Sequence, residues 1–245
     1  MRKISLLLIL ISAISLQSCL DVVEILTLKK NGSGTYQLEF DMSGLVNNPM
    51  MKEMFMQSLE KEEAFADAFK NGGIELDTLI DMKDGPMAAN TNKEMPAIMK
   101  KVKMRMQMSD SQGIFKSTMS LNFDDTDEIA EFYKALEESG GEGAGPGLNG
   151  MVPSNGLFEF KKRTITRKNV QNKALAEADG EAGEMMEMMK MMMGSAKFTS
   201  IYNLPKKPKK VDFANAKVDG KTVTVTHSYL DIMDGKANLG GSIKY

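Results

Sequence analysis

The chain predicts an α+β fold on antiparallel, hairpin-rich and curved sheet, with two or three packed amphipathic helices. Three observations carry this. Alternating apolar and polar stretches outnumber helical ones. Turn signals join neighbouring stretches into hairpins. No strand–helix–strand series of the kind that builds parallel sheet appears.

Residues 1–18 stand apart from the fold. Met1-Arg2-Lys3 precedes an apolar run from Ile4 to Leu16, and Leu16-Gln17-Ser18-Cys19 follows. A basic start, a short apolar core and a small residue before the cut make a secretory signal. The run is too short for a comfortable bilayer span. Leu at −3 and Ser18 at −1 match the bacterial lipobox, in which cleavage falls between Ser18 and Cys19 and the Cys19 thiol carries the acyl anchor (palmitate-type lipid). Cys19 is also the single cysteine of the chain, so no internal disulfide is available. Leu20 at +2 is not the Asp that retains lipoproteins at the inner membrane, which favours the outer membrane.

Residues 19–245 then form one envelope domain. Val22 to Lys30 is β-rich, Asn31–Gly34 is a turn, and Thr35 to Met42 alternates with Tyr36, Leu38, Phe40 and Met42 on one side. Asn48-Pro49 opens a helix that runs to about Lys70 and is stopped by Asn71-Gly72-Gly73. A strand covers Ile74 to Met82, and a polar loop leads through Pro96. Val102, Met104, Met106 and Met108 alternate with Lys101, Lys103, Arg105 and Gln107, and Phe115, Met119, Leu121 and Phe123 continue the inward side. Asp125 with Glu128 reads as a capping box for a helix striped by Ile129, Phe132, Tyr133 and Leu136. The order hairpin, acidic cap, helix thus occurs twice, as an internal duplication would leave it. Residues 139–150 form a flexible Gly-rich loop. A strand at Leu157–Arg167 and a helix-prone stretch near Gln171–Met193 follow. Strands at Lys197–Leu204, Lys210–Val218, Lys221–Tyr229 and Lys236–Tyr245 close the chain, with Asp219-Gly220 as a hairpin turn.

Both ends of this domain resemble the LppM-like bacterial lipoprotein domain family. Cys19-Leu-Asp-Val-Val-Glu, Lys30-Asn-Gly-Ser-Gly-Thr-Tyr and Gln37-Leu-Glu-Phe-Asp-Met are similar to its opening strand, DGSG-type turn and second strand. Tyr202-Asn-Leu-Pro205, Val211–Ala216 and Asp219-Gly-Lys-Thr-Val-Thr are similar to its closing strands. The match covers residues 19–44 and 199–245. It departs at His227, where the family often has Trp, and at Lys206-Lys207, where a glycine commonly follows the proline. The resemblance implies an envelope lipoprotein domain associated with a lipid surface and without known catalytic residues.

Composition narrows the function classes. The whole chain has a formal charge of −2. Removing residues 1–18 takes away Arg2 and Lys3 and no acid, so −4 remains, which argues against nucleic acid as a partner. His227 is the sole histidine and reads as a partly buried strand residue, so no common metal set can form around it. No GxSxG, P-loop or HExxH occurs, and Asp124, Asp125, Asp127 and Glu128 lack EF-hand spacing and suit a helix N-terminus instead. The chain is therefore read as non-enzymatic, with no cofactor and no resident metal.

The methionines are unusual, 23 of them beside no Trp. Met104, Met106 and Met108 on a strand, with Met185, Met188, Met189 and Met192 on the helix-prone stretch, read as flexible core filler or as the wall of a plastic apolar groove for a lipid or apolar ligand, and the groove is the expectation taken forward. A partner-docking structural lipoprotein is the alternative, and Cu(I) capture by thioethers is the third reading. Two basic clusters, Lys161-Lys162-Arg163 with Arg167-Lys168 and Lys206-Lys207-Pro208-Lys209-Lys210, are equally readable as contacts to anionic headgroups or as solvated edges and turns. The partners expected are thus the membrane, through the acyl anchor, and a lipid or envelope protein.

Overall fold

The computed structural model describes residues 20–47, 52–53, 56–57, 60, 74–84, 95–139, 158–169 and 194–245. Within them lie an eight-stranded sheet, in the order β10 (Lys217–Asp219), β11 (Thr222–Ser228), β8 (Lys197–Asn203), β1 (Asp21–Leu28), β2 (Gly34–Asp41), β5 (Ile114–Phe123), β4 (Val102–Ser109) and β3 (Glu75–Asp81), and a four-stranded sheet, in the order β6 (Phe158–Lys161), β7 (Thr164–Arg167), β12 (Gly241–Lys244) and β9 (Lys210–Asp212). This is the α+β, chiefly antiparallel architecture the sequence predicts.

Alternation builds the large sheet. In β1 (Asp21–Leu28) and β2 (Gly34–Asp41) every second residue is buried, as period-2 patterning requires of a sheet covered on one face. The two pair in antiparallel register from Asp21 with Asp41 to Leu28 with Gly34. At their turn the Asn31 side chain accepts hydrogen bonds from the Ser33 amide and hydroxyl. β3 (Glu75–Asp81), β4 (Val102–Ser109) and β5 (Ile114–Phe123) extend the sheet on the β2 side. The two predicted hairpins therefore meet back to back, β2 against β5, with β1 and β4 outside them.

Three readings of the later strands need correction. Residues 157–167 are not one strand but a tight hairpin, β6 (Phe158–Lys161) and β7 (Thr164–Arg167), turning at Lys162 with φ 54°. A lysine in the left-handed region gives none of the Gly or Asn signal by which such a turn is recognised. Residues 210–218 divide into β9 (Lys210–Asp212) of the small sheet and β10 (Lys217–Asp219) of the large one, separated by a turn with Asn215 at φ 61°. Only Gly241–Lys244, as β12, is strand within 236–245. β11 (Thr222–Ser228) ends in a helical turn, α3 (Tyr229–Met233).

β8 (Lys197–Asn203) is placed as expected but pairs with β1 in parallel, Asp21 beside Lys197 and Thr27 beside Asn203. Hairpin logic does not foresee this pair, because its strands are brought together by packing across most of the chain.

Helices are few. Helical backbone starts at Ser43, in α1 (Ser43–Asn47), ahead of the Asn48-Pro49 start signal, and residues 52–53, 56–57 and 60 are helical. α2 (Asp127–Ser139) is the second packed helix, with Ile129, Phe132, Tyr133 and Ala135 buried. Its start is half of a capping box. Asp125 accepts from the Asp127 amide at 2.9 Å, while Glu128 is bound by Lys101 at 2.7 Å. The helix-prone stretch at 171–193 and the Gly-rich loop at 139–150 lie outside the described residues, apart from Ser139.

The small sheet and α2 cover the inward face of the large sheet. One core runs through Val22, Leu26, Leu38, Phe132, Ile165, Tyr202 and Ile243, and a second, smaller one holds Val46, Ile74, Met108 and Phe115. The outward face is polar and laced with cross-strand ion pairs, Arg105 on Asp77 at 2.8 Å and Lys116 on Asp41 at 2.8 Å among them.

Candidate functional site: a sealed Glu–Arg–Tyr cluster on the first strand

Glu24 occupies an inward position of β1, between Val22 and Leu26, and is 1% exposed. A carboxylate at such a position costs several kcal/mol of solvation unless its charge and lone pairs are matched. Four elements supply the match. Register sets Ser200 of β8 directly beside Glu24, and Tyr36 of β2 lies one diagonal away. The stripe of α2 brings in Tyr133, and Arg167, the last residue of β7, enters from the small sheet.

One carboxylate oxygen, Oε1, accepts from the Tyr36 hydroxyl at 2.5 Å and the Tyr133 hydroxyl at 2.7 Å. The other, Oε2, accepts from Ser200 at 2.8 Å and from Arg167 Nη1 in a close ion pair. Arg167 Nη1 also donates to Ser200 Oγ at 2.8 Å, and the two tyrosine hydroxyls lie within hydrogen-bonding reach of each other, so their two protons are shared among three oxygens. The guanidinium carbon stands 5.3 Å from the ring centroids of both Phe158 and Phe198, so its faces are covered by aromatic quadrupoles. Arg167 is itself 2% exposed.

Electrostatics follow from the geometry. Burial pushes the Glu24 pKa up, but Arg167, followed by the hydroxyls of Tyr36, Tyr133 and Ser200, outweighs it and holds the carboxyl below its ordinary value. Burial opposes the charge on Arg167, and Glu24 more than restores it. Burial together with the Glu24 charge raises Tyr36 and Tyr133 well above an ordinary tyrosine, and burial first of all takes Tyr202 up to about 12. None of these groups changes protonation near neutral pH, so the cluster works as a charge-neutral lock between two sheets. Among the described residues, Arg167 Nε and Nη2, and nearby Tyr202 Oη and His227 Nε2, are buried without a hydrogen-bond partner.

The predicted site residues distribute differently. Ser18 and Cys19 lie outside the described residues, as do Met185, Met188, Met189 and Met192. Leu20, next to Cys19, is 2% exposed, and strand structure starts at Asp21, one residue earlier than the alternation suggests. The Asp21 carboxylate accepts from the Lys197 amide at 2.9 Å and fastens this start to β8. Met104, Met106 and Met108 share the inward side of β4. Met108 is 2% exposed in the smaller core, Met104 packs on the main core and Met106 on the smaller one. His227 is half-buried, and its pKa is lowered by burial and then by the Arg167 charge. Among the described residues no group of three His, Cys, Asp or Glu is placed to hold a metal. No helix there is long and apolar enough to cross a membrane.

The cluster itself escaped the sequence reading, which found the inward phase of Tyr36 and the helical stripe of Tyr133 but not their partner. One signal was present. Glu24 is the single charge on the inward phase of β1, and Arg167 shares the inward phase of β7 with Ile165.

The fold and site define a class: an α+β domain of two packed, mostly antiparallel sheets joined through a buried ion pair. No family model matches the chain, and no curated protein does. Among solved structures the chain is similar to the NMR structure of the folded domain of the LppM protein of Mycobacterium tuberculosis. The likeness covers 93% of this chain and 91% of that one, at 11% identity and a TM-score of 0.43.

Proposed function

We propose that this chain is a lipid-anchored, non-enzymatic protein of the bacterial cell envelope, acylated at Cys19 after cleavage behind Ser18. Its domain is held at the membrane surface, and its function is to bind a lipid or apolar ligand there. The outer membrane is the proposed location, from Leu20 at +2.

The observation that supports this best is the junction between lipobox and fold. Leu20 is sealed in the core and β1 starts at Asp21, so no free linker separates the acylated residue from the sheet. A residue spans at most about 3.6 Å, which sets the edge of the domain within roughly 10 Å of the headgroups. A diacylglyceryl group supplies two chains, the number that makes membrane attachment stable.

Metabolic labelling with a palmitate analogue tests the anchor. Label should appear on the full chain and vanish in Cys19→Ser, with the protein leaving the membrane fraction. A chain that stays unlabelled while exported would sink the proposal. Lipid extraction of the purified native protein, read by mass spectrometry, tests the ligand. A protein free of lipid beyond its own anchor, which also fails to bind fluorescent fatty acid or phospholipid, does not have this function.

A further inference from the structure

Two basic clusters that are separate in the sequence, and a third that has no cluster signal, are brought together by the topology. β1 and β2 turn at Lys29-Lys30, beyond the pair Leu28–Gly34. Because β8 runs parallel to β1, Pro205-Lys206-Lys207 leave from that same end of the sheet. The β10–β11 turn closes there too, where the Lys221 carbonyl accepts from the Leu204 amide at 3.0 Å.

The next residues cross to the small sheet. The Lys209 amide donates to the Lys244 carbonyl at 2.7 Å, Lys210 pairs with Lys244, and the Tyr245 amide donates to the Arg163 carbonyl at 2.9 Å. The β6–β7 turn, Lys161-Lys162-Arg163, therefore lies beside Lys244 and Lys210. Two sheet ends become one basic surface.

The cations on this surface are exposed, and they differ from those elsewhere. On the outward face of the large sheet Lys103, Arg105 and Lys116 sit in ion pairs. Here only Lys161 has an acidic partner among the described residues, Glu159 at 3.3 Å. A cluster left unneutralised in a chain of net negative charge marks a surface that meets an external anion.

Its position decides which. From Asp21 to Leu28 the strand spans about 23 Å, so the basic end is opposite to the end at which Leu20 enters. With the anchor proposed above, on which this step rests, the surface faces away from the anchoring bilayer. Of the two exposed large apolar residues among those described, Leu79 is on β3 at the far edge of the large sheet and Val218 stands singly, one residue before the β10–β11 turn, so the surface has at most one apolar side chain to insert into a second bilayer. Lysines prevail over arginine, and ammonium groups act as point charges that suit repeated, diffuse anions rather than one fitted headgroup. We infer that the end of the domain remote from Cys19 is a docking surface for a phosphate-bearing polyanion of the envelope.

Fluorescence anisotropy of labelled long-chain inorganic polyphosphate, with the purified full chain in neutral detergent, tests the surface without using the anchor. Binding is expected, weakening about tenfold or more between about 50 and 200 mM salt through counterion release. Lys206→Glu with Lys207→Glu, and separately Lys162→Glu with Arg163→Glu, should each weaken it about fivefold or more. Lys197→Glu, at the opposite end, should leave it unchanged. Absence of binding, an equal effect of Lys197→Glu, or tighter binding to phosphatidylglycerol vesicles or duplex DNA would overturn the inference. Reconstitution into neutral phosphatidylcholine vesicles separates it from the anchor reading. Retained polyphosphate binding supports the outward-facing arrangement and lost binding overturns it. A chain that does not enter vesicles but still binds polyphosphate overturns the anchor alone.

Discussion

Arg167, at the end of β7, and Glu24, in the middle of β1, form an ion pair that joins the small sheet to the large one in the absence of solvent. The pair is 143 residues apart in the chain. Each charge is tolerable only because the other is there, so the two sheets are obliged to pack in one relative position.

Removing one partner strands the other. Glu24→Leu or Arg167→Met alone should each cost about 3–5 kcal/mol. The double variant should cost clearly less than the sum, giving a coupling of about 2–3 kcal/mol. Urea unfolding of the four proteins checks this. Additive losses would show that the pair does not couple the sheets.

Acid and alkali should attack the cluster from opposite sides. The folded Glu24 pKa lies below its ordinary 4.5, so its stabilisation is present above that pH and is lost as pH falls through the folded value. The tyrosine hydroxyls are raised above 10. Their contribution is complete below pH 10 and is lost as pH rises from there through the folded values, to about 12 for Tyr202. Tyrosinate absorbance should then appear in one cooperative step together with unfolding. Gradual ionisation at pH 10 in an intact fold would contradict the burial of these rings.

Two glycines of the first hairpin should respond differently to alanine. A Cβ on Gly34 would collide with the Thr27 carbonyl oxygen and lie 2.6 Å from Phe123 Cζ. Backbone cannot yield there, so Gly34→Ala should cost about 3 kcal/mol, the upper end for overpacking. Gly32, at φ 90° with nothing within 4 Å of its Cβ position, should cost only the left-handed penalty, about 1–2 kcal/mol. Thermal unfolding of both variants ranks them, and the reverse order would refute the assigned register.

Lys162 holds φ 54° in the β6–β7 turn. Asn tolerates that region better, so Lys162→Asn should stabilise the domain by about 0.5–1 kcal/mol. A melting temperature that does not rise would place the strain elsewhere.

The legible part of the fold was its local part. Alternation in 35–42 and 102–123 placed inward and outward residues because a side chain's face in a strand depends only on whether its position is odd or even. The stripe of 127–139 is similarly local. The turn at Lys162 was not legible because its residue type masks its conformation. The division of 210–218 was not legible because a three-residue strand has too little pattern to declare a sheet.

By itself, the sequence determined the α+β class, the hairpin turns at Asn31–Gly34 and Ser109–Gly113, and the inward faces at 35–42 and 102–123, and it carries the Leu16–Cys19 pattern on which the anchor proposal rests. Only the tertiary structure decided that β8 lies parallel to β1, that Glu24 meets Arg167, and that three lysine-bearing segments converge at the end opposite Leu20. The physical reason is range. Periodicity and turn chemistry act over a few residues, whereas these arrangements depend on which distant surfaces can bury one another without leaving a charge unmatched.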